Sequence, residues 1–569
     1  MKKTIVFTIC FCAFIHLSEA QPGQQKEKFT HADTLRGSLN PHRTWWDVLR
    51  YDIAVKPDYN SKTIEGKTSI TFAIIQTGDR TMQIDLQQPL IIDSVIINGR
   101  KVGFKKTNTN VWHVYLENLS SLEKQMGSAS GVTATSNITV SYHGKPLEAI
   151  RPPWDGGWIW KKDAEGRPWM SVACQGLGAS VWYPCKDHQS DEPDSGASLS
   201  IIVPDTLIAV GNGRLKNKID NNNGTTTYTW EVKDPINNYN IIPYIGKYVN
   251  WSDTLQGERG TLDLSYWVLE DNLEKAKKQF GQVKPMLRCF EYWFGPYPFY
   301  EDGYKLVESP HLGMEHQSAV AYGNGYQNGY HGMDLSESGW GNKWDFIIVH
   351  ESAHEWFANN ITTKDIADMW VHESFANFSE TLYTEWLFGK EAGNEYNYGI
   401  RQRIENDRPI IGPYGVNKEG SGDMYYKGGN MLQTIRHAIN DDEKFRNILR
   451  GLNKTFYHQT VTTSQIENYI STQSGIDFSK VFDQYLRTTQ IPQFEYYYSP
   501  GKKDLYYRWD SCVNGFNLRL IISKANKTLT LNAMQHWKSL MTDDKNSTLF
   551  DTDYLDKNYY IHIKQVRPK

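Results

Sequence analysis

Residues 344–358 read Trp-Asp-Phe-Ile-Ile-Val-His-Glu-Ser-Ala-His-Glu-Trp-Phe-Ala. The stretch is largely apolar and carries two histidines four residues apart, with a glutamate directly after the first. On a helix, residues four apart share a face, so the imidazoles of His350 and His354 can hold one ion between them. Glu351 is turned about 100° from His350, which sets its carboxylate beside that ion. A catalytic zinc takes three protein ligands and keeps one position open for water, so a further ligand is needed.

Glu373 is the candidate. Eighteen residues separate it from His354, and Phe375, Phe378, Leu382 and Trp386 beyond it keep helical spacing. Two antiparallel helices joined by a short connection would bring Glu373 back over the histidine pair. His372 is a rival, but on a helix it points about 100° away from Glu373, and the His-His-Glu set is complete without it. Such a donor set favours one zinc ion, although related divalent ions can occupy similar sites.

Outward from this segment the chain changes character twice. From Tyr51 it shows short alternating runs such as Tyr51-Ile53-Val55 and Ile70-Phe72-Ile74, punctuated by Asn98-Gly99, Asn212-Gly213 and Asn223-Gly224. That pattern predicts an all-β region of about 200 residues. Ala276, Phe280, Val283, Leu287 and Phe290 then begin a helical repeat, which stops at Gly295-Pro296. A Gly- and Tyr-rich stretch from Tyr322 to Gly341 reads equally as a surface loop or as the rim of a site. Residues 344 to about 490 look mostly helical, and strand-like runs return past Ile491-Pro492. The expected division is therefore 21–249 as a β domain, 250–490 as a catalytic domain and 491–569 as a small β module. Residues 21–44, polar and rich in breakers, read as a flexible lead-in.

Lys2, Lys3, the apolar run Ile5–Leu17 and Ser18-Glu19-Ala20 read as a secretory signal over residues 1–20. The run is shorter than the roughly 20 residues a spanning helix needs, so export to a periplasmic or extracellular space is expected, without a stable membrane span. A net charge of -4 shows no basic excess, which argues against a nucleic-acid partner. Aromatics at 13% suit strand-rich domains. Cys174, Cys185, Cys289 and Cys512 lie beyond the signal. They are too few for a disulfide framework in a chain of this length. A bridge between Cys174 and Cys185 and unpaired buried thiols are both open.

With these motifs quoted, the chain resembles the M1 family of zinc aminopeptidases, whose pattern is H-E-x-x-H, eighteen residues, then Glu. Leu312-Gly313-Met314-Glu315-His316 is similar to the family's G-x-M-E-N motif, and Tyr425-Tyr426-Lys427-Gly428 to its Tyr two residues before Lys-Gly. Gln175, nine residues before Pro184, matches a further motif in the β domain. The match runs from about Tyr51 to about Glu495. The resemblance implies a multidomain α+β protein: a saddle-like N-terminal β domain, a thermolysin-like and mostly helical catalytic domain, and a β-sandwich-like C-terminal module. It implies hydrolysis of the first residue from peptides with a free N-terminus. Glu351 is then the general base, Tyr425 (favoured over Tyr426 by its offset) the oxyanion donor, and His350, His354 and Glu373 the ligands of one zinc. Glu315 and Gln175 bind the substrate ammonium, and Gly313 and Met314 offer backbone to the substrate. Gln175 also reads as a polar strand residue facing solvent.

The chain departs from the family pattern at Leu312-Gly313, where Gly-Ala or Gly-Gly is common, and at two further positions. His316 stands where Asn is usual and reads as a structural histidine. His311 stands where the family often places a residue lining the pocket for the first side chain. The long helical domain of larger members has no counterpart before residue 569, which implies a more open active-site face. Rival readings are another zinc hydrolase on the same fold, such as an endopeptidase or an epoxide hydrolase, and a non-catalytic surface-binding protein.

Overall fold

Alternating hydrophobic and polar residues produce half-buried strands, and Ala197–Pro204 and Thr225–Val232 bury every second side chain. A computed structural model describes residues 29–76, 81–116, 135–500, 504–524, 527–541 and 551–567; the expected signal over residues 1–20 lies outside them. These two strands belong to an eight-stranded sheet that runs from Arg214–Asp220 at one edge, through Trp46–Asp58 and Thr63–Ile74, to Arg100–Lys101 at the other. The Asn98-Gly99 turn joins its last two strands. Ile97 pairs with Arg100 across it, and φ is positive at both turn residues, the backbone that a tight two-residue hairpin requires. A four-stranded sheet containing Gly157–Lys162 and Pro168–Ala173, and a three-stranded sheet starting at Thr81–Asp85, complete this β-rich half. Its core includes Trp46, Phe72, Trp158, Trp182 and Trp230.

A second, five-stranded sheet begins at Tyr248–Gly257 and ends on the two-residue strand Gly313–Met314, which forms its edge. One edge of Gly313–Met314 pairs with Val320–Tyr322, and no strand among the described residues pairs along its other edge, where an extended chain could add. The helical repeat read from Ala276 to Phe290 is divided. Leu273–Gln279 and Val283–Phe294 are α-helical, with a 3-10 turn over Phe280–Gln282 between them. Gln279 and Gln282 at that turn both donate to Asn328, and Gln279 also donates to Asp345 Oδ2 at 2.7 Å. The interruption therefore serves contacts that a continuous repeat does not reveal.

Asp345 caps the helix Phe346–Ala353 by accepting from the amides of Ile347 and Ile348. It also accepts from Tyr322 (2.8 Å) and Asn324 (2.9 Å). The Gly- and Tyr-rich loop thus fixes the start of the histidine-bearing helix. That helix is short, and His354 stands at its C-cap with helical angles. The connection to the Glu373 helix, Trp370–Phe388, is not the short link expected. It contains the strand Ile361–Thr363 and a 3-10 turn at Ile366–Asp368. Trp370 to Thr384 are all buried, so this helix forms the centre of the helical half and not an amphipathic surface element.

A third helix, Tyr426–Ile439, crosses the Glu373 helix closely. A Cβ added at Gly428 would lie 1.8 Å from Ser374 Oγ, and one at Gly429 2.2 Å from Asn377 Oδ1. Ser374 Oγ donates to Met424 O at 2.7 Å. The turn preceding the third helix is thereby tied one residue beyond Glu373.

The C-terminal module consists of a four-stranded sheet around Gln493–Tyr498 and Asp504–Asp510, a hairpin Arg519–Lys524 with Lys527–Asn532, and an unexpected short helix Thr552–Asn558. Residues 30–44 depart from the lead-in expectation. His31–Gly37 and Pro41–Thr44 are helical. Arg43 is fully buried; it donates to the carbonyls of Leu35, Arg36 and Ser38 and pairs with Asp85 at 2.5 Å. Local composition reports polarity, whereas this ordering combines carbonyls of the same segment with Asp85, 42 residues away. Among the described residues no helix is long and apolar enough to cross a membrane.

The close helix crossing yields a prediction. Gly428→Ala forces the Tyr426–Ile439 helix away from Ser374, so it should cost about 1–3 kcal/mol of stability and displace Tyr425. Thermal melting would register the loss; an unchanged melting temperature would show that the contact is not tight.

Candidate metal centre and substrate site

The two helices bring three ligand atoms together. Glu373 Oε2 lies 3.5 Å from His350 Nε2 and 3.4 Å from His354 Nε2. Zinc bonds of about 2.0–2.1 Å in tetrahedral geometry put neighbouring ligand atoms about 3.3–3.4 Å apart, so the residues present fit one such ion. Glu373 Oε2 is buried and accepts no hydrogen bond among the described residues, as a ligand oxygen would. His350 and His354 are oriented from behind. His350 Nδ1 is 2.8 Å from Glu380 Oε1, and His354 Nδ1 is 3.0 Å from Phe357 O. With the Nδ1 protons donated there, the Nε2 lone pairs face the shared point. Glu380 is itself held by Tyr396 (2.6 Å) and Asn377 (3.1 Å).

His372 turns the other way. Its Nε2 accepts from the amide of Thr363 at 3.0 Å, and it takes no part in the cluster. A second convergent trio, Glu315, Glu351 and His354, shares His354 with the first. Glu315 Oε1 in that trio already accepts from two donors, which leaves the first trio as the better metal seat.

Burial would press the two imidazoles toward neutrality, but the carboxylates oppose it. Glu373 and Glu380 raise His350 well above its ordinary range, and Glu373 raises His354 to about 9. Burial, with Glu315 and Glu373 adding, pushes Glu351 up to about 7 against the opposing imidazoles. Four carboxylates and two imidazoles packed this closely have an excess of negative charge that suits a divalent cation.

The strand Gly313–Met314 lies against the histidine-bearing helix beside Glu351. A Cβ on Gly313 would lie 2.7 Å from Glu351 Oε1 and 2.9 Å from Ile347 Cγ2, so a larger residue here would have to displace those side chains. Glu315 follows at once and is buried. Its Oε1 accepts from Tyr239 Oη at 2.9 Å and from the Gln175 amide nitrogen. Gln175 is thus turned to the site and not to solvent, with its carbonyl oxygen left to accept.

His316 meets Tyr244 Oη through Nδ1 at 2.5 Å, while its Nε2 has no partner among the described residues. Burial lowers its pKa well below the usual value, which accords with a neutral structural ring. His311 is buried against His316 with ring centroids 6.1 Å apart. It is not among the residues lining the cavity, whereas Leu312 is.

Tyr425 precedes the Tyr426–Ile439 helix, with its ring 5.9 Å from that of His350. Burial, with the charge of Glu373, holds its hydroxyl well above the ordinary tyrosine range, so it is a neutral donor. Tyr425 and Tyr426 both line a cavity of about 1100 Å³ together with Gln175, Glu315, Glu351 and the three candidate ligands. Tyr330, Met333 and Leu335 from the Gly- and Tyr-rich loop line it too, as do Ala32, Asp33, Leu35 and Arg36 from the N-terminal segment. Cys174 and Cys185 are both buried and unbridged.

Sequence reading missed Tyr239, Glu380, Tyr396 and residues 32–36. Glu380 carries a usable signal, since it lies seven residues, or two helical turns, after Glu373 on one face. Tyr239 carries none, because it belongs to another domain.

Comparison with known proteins agrees with this geometry. The "Peptidase M1 N-terminal domain" matches residues 48–239 and the "Peptidase family M1 domain" residues 282–485. Leukotriene A-4 hydrolase of Xenopus laevis is 22% identical over 75% of this chain and 68% of its own length. Aminopeptidase N of Lactobacillus helveticus is 23% identical over 78% of this chain and 51% of its own length. The chain spans about half to two thirds of the length of such relatives. An M1 zinc metallopeptidase from Deinococcus radiodurans shares the fold with a TM-score of 0.65 at 21% identity, covering 79% of this chain and 94% of that one. A mutant of that peptidase bound to a Tyr-Ser-Ala substrate gives a TM-score of 0.64 at 20% identity, covering 78% and 95%. With both family domains matched in order and the His-His-Glu cluster formed where they predict it, the chain belongs to the M1 peptidase family.

Proposed function

We propose that this chain is a zinc aminopeptidase that removes the first residue from peptides with a free N-terminus. The observation that carries this reading is Glu315, a buried carboxylate held by Tyr239 and Gln175 beside the His350–His354–Glu373 cluster. A substrate ammonium would pair with Glu315 and donate to the free carbonyl oxygen of Gln175. An internal peptide segment has no such charge and would leave a buried carboxylate unpaired, which disfavours an endopeptidase.

His350, His354 and Glu373 would hold the zinc. When bound, the ion polarises the scissile carbonyl and makes water easier to deprotonate. Glu351 takes the proton of the attacking water and later delivers it to the leaving amine. Tyr425, kept neutral by its surroundings, donates a hydrogen bond to the oxygen on which negative charge develops. The free edge of Gly313–Met314 pairs with the substrate backbone and sets the carbonyl between Glu351 and Tyr425. We also propose that the chain is exported. The support is Lys2, Lys3 and the apolar run before Ala20; N-terminal sequencing of the mature protein should begin at Gln21, and retention of Met1 would sink the idea.

Three further outcomes are expected. The metal-loaded chain should cleave free aminoacyl and peptide substrates but not their N-acetylated counterparts. Glu351→Gln should retain the metal while losing about 10²–10⁴ of turnover. Equal cleavage of acetylated and free peptides, or full activity in the variant, would refute the assignment. Glu380→Gln, acting only through His350, should weaken metal affinity about 10–100-fold when measured by competition with a chelator. Unchanged affinity would remove its positioning role.

A further inference from the structure

One carboxylate in the cavity wall has no part in the chemistry described. Glu419 lines the same cavity as Glu315, Glu373 and Tyr425 and is half-buried. The other unassigned carboxylates there are occupied. Asp33 caps its helix, Asp85 is paired with Arg43, Asp155 accepts from the amides of Ile150 and Arg151, and Asp187 accepts from Ser180. Glu419 accepts no hydrogen bond and forms no ion pair among the described residues. Arg408 donates to Gly420 O at 2.9 Å and to Asp407 at 3.2 Å, and Lys418 is exposed.

The loop that carries Glu419 is braced on both sides. The amide of Asn417 donates to Asp33 O at 2.9 Å, and its side chain donates to Gly176 O at 2.9 Å. Arg36 also donates to Gly176 O, and Gly37 packs directly on the Val416–Asn417 backbone, where a Cβ would lie 2.2 Å from Val416 C. A Cβ on Gly176 would lie 3.8 Å from Glu419 Oε1, and Gly176 directly follows Gln175. Glu419 is therefore adjacent to the ammonium-reading pair. Its carboxyl is pushed up by burial and then by the charges of Glu373 and Glu315, with Lys418 and Arg408 opposing. It lines the same cavity as the metal seat and the ammonium seat. A first residue seated with its ammonium at Glu315 and its carbonyl at the metal seat would carry its side chain into the cavity that Glu419 lines.

We propose that Glu419 is a specificity-determining residue that selects a cationic side chain, arginine or lysine, on the first residue of the substrate. This rests on the reading that Glu315 and Gln175 hold the α-ammonium. A guanidinium or ammonium would supply the missing partner, and arginine can do so through two parallel hydrogen bonds. A leucine would cover the carboxylate without pairing it, so discrimination arises from the desolvation penalty of the wrong guest as well as attraction of the right one.

The test uses the full, metal-loaded chain and free amino acids, whose binding does not require turnover. By calorimetry the parent should bind L-arginine at least tenfold more tightly than L-citrulline, its neutral near-isostere, and L-lysine at least tenfold more tightly than L-leucine. Glu419→Gln, with metal content and melting temperature matching the parent, should bring both ratios to within threefold of one. Glu419→Lys should favour L-glutamate over L-arginine. Equal binding of arginine and citrulline by the parent would overturn the proposal without needing any variant. A uniform loss for all amino acids in Glu419→Gln would also overturn it, because that would place Glu419 at the ammonium. An intact arginine preference with no turnover of any aminoacyl substrate would instead defeat the aminopeptidase reading and leave this one standing.

Discussion

The convergence of Glu373 with His350 and His354 is the constraint around which the catalytic half is arranged. Two imidazole nitrogens and a carboxylate oxygen meet within a few ångströms in a buried setting. Such a cluster of polar groups is unfavourable unless each is oriented and the shared point is filled. Glu380 and the Phe357 carbonyl provide the orientation. Asp345 fixes where the histidine-bearing helix begins, and Gly428 and Gly429 let a third helix approach the Glu373 helix closely. Each of these features keeps its helix at a depth and rotation that would otherwise be free to drift.

That frame also explains how two domains form one site. The catalytic half supplies the metal seat, the base and the tyrosine. The β-rich half supplies Gln175 and Tyr239, which hold Glu315 from the opposite side. Glu315 carries charge into a region where a carboxylate is stable only with several donors, so its environment must be built from both halves at once. The N-terminal segment adds a third contribution. Arg43 is buried among backbone carbonyls of the same segment and paired with Asp85, while Asp33 and Gly37 meet the loop that precedes Tyr425. The segment thereby links the cavity wall of one half to that of the other.

Much of this was legible before folding was considered. Spacing identified the histidine pair, Glu351 and Glu373, because helical periodicity is a local property. The turn at Asn98-Gly99 was legible for the same reason, since positive φ at both positions is a requirement on those two residues alone. The 3-10 interruption at Phe280–Gln282 escaped notice because the apolar repeat continues through it, and what breaks the helix is a set of side-chain bonds to Asn328 and Asp345. Residues 30–44 read as part of a flexible lead-in for a similar reason: beside carbonyls of their own segment, their polar groups meet Asp85 and Asn417, distant in the chain. His311 was expected on the cavity wall from its place in a motif, yet the short strand that follows it turns Leu312 to the cavity and leaves His311 behind.

Local order of residue types by itself determined that this chain has a His-His-Glu donor set, a base beside it, a β-rich first half and a mostly helical second half. Those conclusions need only the repeat of a helix or strand and the chemistry of a few side chains. Tertiary structure alone decided which neighbours make the donors usable: Glu380 behind His350, Tyr239 behind Glu315, Thr363 drawing His372 away, and a braced loop presenting Glu419 without a partner. The reason is that a buried polar group is defined by what surrounds it, and for these residues the surroundings come from positions nine to more than two hundred residues apart.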